Sequence, residues 1–409
     1  MRWWSADNPR DRTRLQFQAQ KGYKKSKKPM KIPCAIYRGG TSKPIFFLER
    51  DLPHDPKLRD QVVLAAFGSP DLRQIDGLGG ADPLTSKVAY IGPPTVPDTD
   101  INYTFGYVGI VQPVIDYTGN CGNTSAAVGP FALLRGLIKP KEPVTHIRIY
   151  NTNTKKVIVA EFPVRDGEFL SEGNFRIDGV PGAGSKILLD FIDSGGSVTG
   201  KLLPTGKVKE EIKFPTIGTL TVSMVDAANP FVFVRGSDLG VEGDETLEEI
   251  AGNSVLLKKC EEIRSVVAEI MGIAKKEEAT QKSPGVPKIA FVSPPTSYQT
   301  PKGKVEAADV DIVARMTALQ KLHKAYAVTG AVCLGAAAKV KGTIVNEIYR
   351  QVQPGNPPAV RIGHPSGTIQ VEIETENRNG RLELTKAALA RTARLLMDGH
   401  VYAPGRRGG

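Results

Sequence analysis

Gly119-Asn120-Cys121-Gly122-Asn123-Thr124-Ser125 leads directly into the small apolar run Ala126-Ala127-Val128-Gly129-Pro130-Phe131-Ala132. Polar residues and glycine around a thiol make a poor core and a good entrance to a helix. Free N–H groups and the helix dipole at such an entrance lower a thiol's pKa and attract anions. An ordinary core cysteine is the competing reading, and the Asn120 and Asn123 flanks weigh against it. A second helix shares the design, with Thr329-Gly330-Ala331-Val332-Cys333 leading into Leu334-Gly335-Ala336-Ala337-Ala338. Apolar neighbours surround Cys333, which favours a core thiol there and leaves a place in a cleft as the alternative.

Three further stretches offer anion chemistry. Arg38-Gly39-Gly40-Thr41-Ser42-Lys43 follows a strand, and its bared N–H groups, hydroxyls and cations suit a carboxylate or phosphate. A glycine turn flanked by cations is also a common surface loop. Ser297 and Lys302 form a second hydroxyl-plus-cation loop. Gly363-His364-Pro365-Ser366-Gly367 is turn chemistry that can also hold an anion through Ser366. In Ser86-Lys87-Val88-Ala89-Tyr90-Ile91 a lysine stands at the entry to an apolar strand. Most such lysines lie at the surface; one held among apolar side chains and cations has a lowered pKa and serves as a general base.

Other signals fail. Gly179 to Lys186 resembles a phosphate loop, but Ser185 precedes Lys186 where Lys must come first, and a strand follows instead of a helix. The five histidines are dispersed without paired spacing, and Cys34, Cys121, Cys260 and Cys333 form no CxxC, so no metal site is expected. Four separated cysteines also make a reducing, cytoplasmic compartment the default.

The elements that must position these groups read as a β-rich α+β protein. Strands are expected over 32–37, 44–48, 87–92, 102–112, 145–150, 155–162, 186–192, 218–225, 231–235, 288–293 and 368–374. Helices are expected over 56–67, 122–136, 245–273 with a break near Gly252-Asn253, 305–318, 331–340 and 384–397. Small residues all round the two cysteine-led helices mean burial on every side, as when strands wrap around a helix. Cys121 and Cys333 lie 212 residues apart, about half the chain, which suggests a duplicated architecture.

The net charge of +11 invites a nucleic-acid reading, but its distribution does not. Residues 1–31 hold ten basic groups against two acidic ones, and the other 378 residues carry 44 against 41. The basic character belongs to a polar leader over 1–30, read as a solvated tail. Its arginines keep a mitochondrial address open, while Asp7 and Asp11 count against one. No apolar run is long enough for a membrane span.

Taken together, RGGTSK, GGADPLTSK, GNCGNTSAAVGPFA, KLLPTG, VDAANPFVFV, PPTSY, TGAVC and GHPSG occur in the order seen in the PrpF family, across roughly residues 31–403, with Lys87 and Cys121 34 residues apart. The resemblance implies a diaminopimelate-epimerase-like fold, with two similar β-barrel-like halves (31–200 and 201–403), each wrapped around a central helix. The last helix is expected to pack back on the first half. It also implies a cofactor-independent isomerase of an unsaturated di- or tricarboxylate, of 2-methylaconitate or aconitate type, in which Lys87 moves the proton and Cys121 orients substrate or acts as the opposing acid or base.

Arg38, Gly39, Gly40, Thr41, Ser42, Ser86, Asn120, Gly122, Asn123, Thr124, Asn229, Ser297, Lys302, Cys333 and Ser366 are then the expected substrate-binding residues. The expected partner is a small polycarboxylate, with no nucleic acid and no membrane; a homodimer is left open. Val328 replaces an expected methionine and Ala228 an expected glycine, both at pocket walls, so the exact substrate is not fixed. Two competing classes are a racemase or epimerase with Cys121 and Cys333 as opposed thiols, which leaves Lys87 without a task, and a non-catalytic polyanion-binding protein, which rests on the leader alone.

Overall fold

The computed structural model describes residues 29–378 and 381–404; nearly all of the basic leader lies outside them. Strand β1 (Met30–Gly39) pairs antiparallel with β2 (Ile45–Leu48), and β2 pairs parallel with β3 (Lys87–Gly92). Then β3 is antiparallel to β4 (Ile101–Val108), β4 parallel to β5 (Val144–Asn151), and β5, β6 (Lys156–Arg165) and β7 (Ile187–Phe191) successively antiparallel.

The second half repeats that run of directions. Strand β8 (Gly218–Ala227) is antiparallel to β9 (Asn229–Arg235), β9 parallel to β10 (Lys288–Ser293), and β10 antiparallel to β11 (Ile312–Ala318). Next, β11 is parallel to β12 (Ala359–His364), and β12, β13 (Gly367–Arg378) and β14 (Arg381–Arg391) are successively antiparallel. Identical order and direction throughout is the mark of one unit used twice, and the architecture is the duplicated α+β one expected from the motifs.

Seven helices matter for the site: α1 (Pro56–Phe67), α2 (Gly122–Ser125), α3 (Val128–Leu134), α4 (Leu247–Gly252), α5 (Ser254–Ile270), α6 (Val328–Lys339) and α7 (Ile344–Val352). In α6 every residue from Val328 to Ala338 is buried. Small side chains permit this, because the sheet comes so close that a Cβ on Gly335 would meet Val371 and Ile373. Helices α2 and α3 take the equivalent place in the first half, where Phe131 packs on Tyr37 and Phe46. The inward faces of both sheets join these helices in one continuous core, whereas α1 and α5 cover the outer faces through separate apolar clusters.

Several expected elements differ. The helix over 122–136 is broken into α2 and α3, with Pro130 in the first turn of α3, where its missing N–H costs nothing. Residues 305–318 hold only a short turn of helix, Ala307–Asp309, and then β11, whose seven residues are all buried. A strand buried on both faces shows no alternation, and its Ala and Met mimic a helix.

Residues 384–397 are also strand, not helix: they belong to β14 and β15 (Ala393–Ala403). Ala387 and Leu389 face the core, where tertiary packing overrides alanine's helix propensity. The chain does return to the first half, but as strands, with β14 pairing with β7 and β15 with β1. The break at Asn253 is as expected, since its side chain accepts from Leu256 N and caps α5.

Candidate active site

Lys87 is the first residue of β3 and points inward with Ala89 and Ile91; it is 1% exposed. Its Nζ donates to Ser42 Oγ at 2.7 Å, and Ser42 Oγ lies 3.9 Å from Cys121 Sγ. Lysine, serine and cysteine thus form one buried chain of exchangeable protons. The loop carrying Ser42 is fixed by Asn123, whose side chain accepts from Thr41 N at 3.3 Å and donates to Thr41 Oγ1 at 3.0 Å. Gly40 has a φ of +50°, and a Cβ there would overlap Asn123 Oδ1, so both sterics and conformation call for glycine.

Burial by itself would push the Cys121 thiol up, but the Lys87 charge and the Thr124 hydroxyl and N–H outweigh it and hold the thiol below its usual value. The sequence pattern predicts this direction through free N–H groups and the dipole of a longer helix, and the Thr124 N–H is one such group. The observed α2 has only four residues, and the largest lowering influence is the Lys87 charge, which the helix pattern does not supply.

The second half reaches the site through Asn229. Its Oδ1 accepts from Asn120 N at 2.9 Å, and its Nδ2 donates to Asn120 O at 2.8 Å and to Thr329 Oγ1 at 3.0 Å. Asn120 Oδ1 in turn accepts from Cys121 N at 2.6 Å. Gly122 meets the start of α6 so closely that a Cβ would lie 2.3 Å from Val328 Cγ1. The entrances of the two central helices therefore abut beside Cys121.

The remaining predicted residues lie elsewhere or are engaged otherwise. Arg38 Nη1 donates to Gly40 O and Thr392 O, latching the loop from behind, while Gly39 packs on Asn123 O and Ala127. Ser86 Oγ donates to Gln74 Oε1. Ser297 bonds Glu306 within its own hairpin, and Lys302 Nζ donates to Val180 O at 2.9 Å. Ser366 Oγ donates to Lys324 O.

Cys333 sits in the second turn of α6, where its Sγ donates to Val225 O and burial pushes its thiol well up. Three groups that the sequence does not single out do approach the site: Asp116, Lys288 and His323. Burial first, and then the Lys87 charge, push His323 down to about 3. Among the described residues no cluster of His, Cys, Asp and Glu is placed to hold a metal ion, and no single helix is long and apolar enough to cross a membrane.

The PrpF family model, described as PrpF protein, matches residues 29–404. The chain belongs to the PrpF family. It is 50% identical to the 3-methylitaconate isomerase of Eubacterium barkeri over 91% of this chain and 97% of that one. It is 39% identical to the 2-methyl-aconitate isomerase of Cupriavidus necator over 92% and 98%. The crystal structure of a methylitaconate-delta-isomerase superposes with a TM-score of 0.72 at 48% identity, covering 93% of this chain and 97% of that one.

This PrpF member is accordingly an isomerase. The two-thiol racemase reading is not favoured, because its second thiol, buried in α6, is locked on the Val225 carbonyl of β8. Replacing Cys333 by alanine is expected to leave turnover within about twofold of the parent, because a buried, protonated thiol does not react. A two-base racemase would instead lose at least about a hundredfold. Turnover measured beside a thermal melt separates the two outcomes.

Proposed function

We propose that this protein shifts the double bond of a methylitaconate-type dicarboxylate, with Lys87 as the proton carrier. The observation that carries the reading is the buried chain from Lys87 Nζ through Ser42 Oγ to Cys121 Sγ. A C–H flanked by a carboxylate and a C=C is weakly acidic, and its removal leaves a dienolate whose spreading charge must be bound by fixed donors and cations.

The reaction starts from the form of the pair in which Lys87 carries the proton and Cys121 is a thiolate. Lys87 passes a proton to Ser42 Oγ as Ser42 passes its own to Cys121, which leaves an amine, a hydroxyl and a thiol. The amine takes the substrate C–H proton, and the C–H electron pair enters the dienolate. Lys87 then returns a proton to the far allylic carbon, so that a methylene becomes a methyl and 3-methylitaconate becomes 2,3-dimethylmaleate. No step consumes an oxidant or a hydride. The identity shared with the 3-methylitaconate isomerase favours this substrate over 2-methylaconitate.

Proton NMR of the pure protein with 3-methylitaconate, 2-methylaconitate, cis-aconitate and oxalomesaconate in deuterated buffer tests the proposal. Loss of the methylene signals and growth of a methyl signal from the first compound is the expected result. Turnover of another compound alone would move the assignment to that substrate. No change in any of the four would end the isomerisation proposal.

A further inference from the structure

Lys87-Val88-Ala89-Tyr90-Ile91 opens β3, and Lys288-Ile289-Ala290-Phe291-Val292 opens β10. The two runs differ only by exchanges of similar apolar residues, and they occupy the same strand of the duplicated unit. Registers agree as well: Ala89 pairs with Phe46, and Ala290 with Phe233. Both lysines share the inward parity of those alanines, and both are 1% exposed. Their side chains converge, with Nζ of Lys87 lying 5.4 Å and Nζ of Lys288 4.8 Å from the centre of the Tyr107 ring. The duplicated unit therefore brings one lysine from each half to a single aromatic ring beside Cys121.

The loop before β10 is built to hold Lys288 there. Lys288 Nζ donates to Gly285 O, while Gly285 N donates to Asp116 Oδ2 at 2.6 Å. A Cβ on Gly285 would meet both Asp116 Oδ2 and the Tyr107 ring, so the loop lies flat against the first half. The groups that face the ammonium are Asp116, Cys121, Lys87, Arg264 and His323, the last pushed down to about 3, with the Tyr107 ring beneath. Burial pushes Lys288 down to about 8, with Asp116 and Cys121 opposing and Lys87 and Arg264 adding, which leaves it charged at neutral pH. A buried ammonium with this few partners is costly as mere scaffolding.

We propose that Lys288 is the second half's counterpart of Lys87, a positioning residue whose ammonium favours the form of the Lys87–Ser42–Cys121 chain that is one proton short. The inference deepens the isomerase reading and rests on it for its catalytic meaning. Its sign is set by electrostatics alone. A nearby positive charge favours loss of a proton from the pair, whichever member gives it up, so the pair as a unit deprotonates at lower pH.

The test needs no substrate. The ultraviolet absorbance of the thiolate, taken as the difference between the protein and its Cys121→Ala variant, reports the pair. The other described thiols stay protonated, since burial pushes Cys34 up to about 11, Cys260 to about 12 and Cys333 well above its usual value. Lys288→Met is expected to raise the midpoint of that signal by about half a unit or more, and Lys288→Arg to leave it near the parent.

The acid limb of the activity profile moves with the midpoint. An unmoved midpoint in the folded Lys288→Met protein overturns the proposal. If Lys288→Met does not fold, Lys288→Gln replaces it, with the same rise expected and an unmoved midpoint again overturning the proposal. Absence of isomerase activity with a shifted midpoint sinks the substrate assignment and leaves the charge relation standing.

Discussion

Lys87→Met is expected to lower kcat by about a thousandfold, within the range that removal of a positioned proton carrier produces. Methionine keeps the length and apolar stem of the side chain, so the strand start and the Tyr107 packing survive. What it deletes is the ammonium that donates to Ser42 and supplies the largest lowering influence on Cys121. Two readouts should move together. Turnover and deuterium incorporation at the allylic carbon should both collapse, and the Cys121 thiolate signal should move to higher pH.

A fall in deuterium exchange with KM nearly constant would mark loss of the proton carrier. A large rise in KM with kcat kept would reassign Lys87 to carboxylate binding. Near-normal turnover would remove it from the chemistry. Lys288 is not placed to take over, because its Nζ is tied to Gly285 O on the far loop and makes no bond to Ser42.

The first half of the site is legible in the chain because its residues violate their surroundings. Cys121 stands between asparagines and glycines, whereas Lys87, at the entry to an apolar strand, is marked by the order of the family motifs around it. The structure joins them through Ser42. The second half is less legible. Lys288 follows Val286-Pro287 at the start of an apolar strand, which reads as a lysine at a strand end, and only alignment of the Lys-[Val/Ile]-Ala-[Tyr/Phe]-[Ile/Val] repeat marks it.

Ser297 and Lys302 look like a copy of the Ser42 loop, yet their groups bond Glu306 and Val180. A hydroxyl-plus-cation pattern fixes no direction in space. The same limit acts on the elements. The alanines of 384–397 and the buried run of 312–318 mimic helices because the first packs small side chains on the core and the second is buried on both faces. Duplicated pairing between distant strands leaves no local trace that would have corrected either reading.

Asn229→Leu is expected to cost about 3 kcal/mol of stability, because it strips partners from buried polar groups at about 1–3 kcal/mol each. Leucine fits the volume and satisfies none of them. Asn120 N and O and the Thr329 hydroxyl lose Asn229, which is fully buried, and the entrances of α2 and α6 lose the side chain that joins them. Asn120 also accepts from Cys121 N, so the thiol should drift with it.

A displacement on the scale of an ångström in a proton-transfer site costs about a hundredfold in rate, and kcat should fall by about that much even where the variant is fully folded. Thr329→Val removes one of the same bonds from the other side and should cost about 1 kcal/mol alone. The two losses should not add, because the double variant removes the Asn229–Thr329 bond only once. Melting curves on the two single variants and the double variant measure that coupling. Strict additivity, or full turnover in Asn229→Leu, would mean that the halves are held in register by the strand pairing of β1 with β15 and β7 with β14, and that Asn229 only fills space.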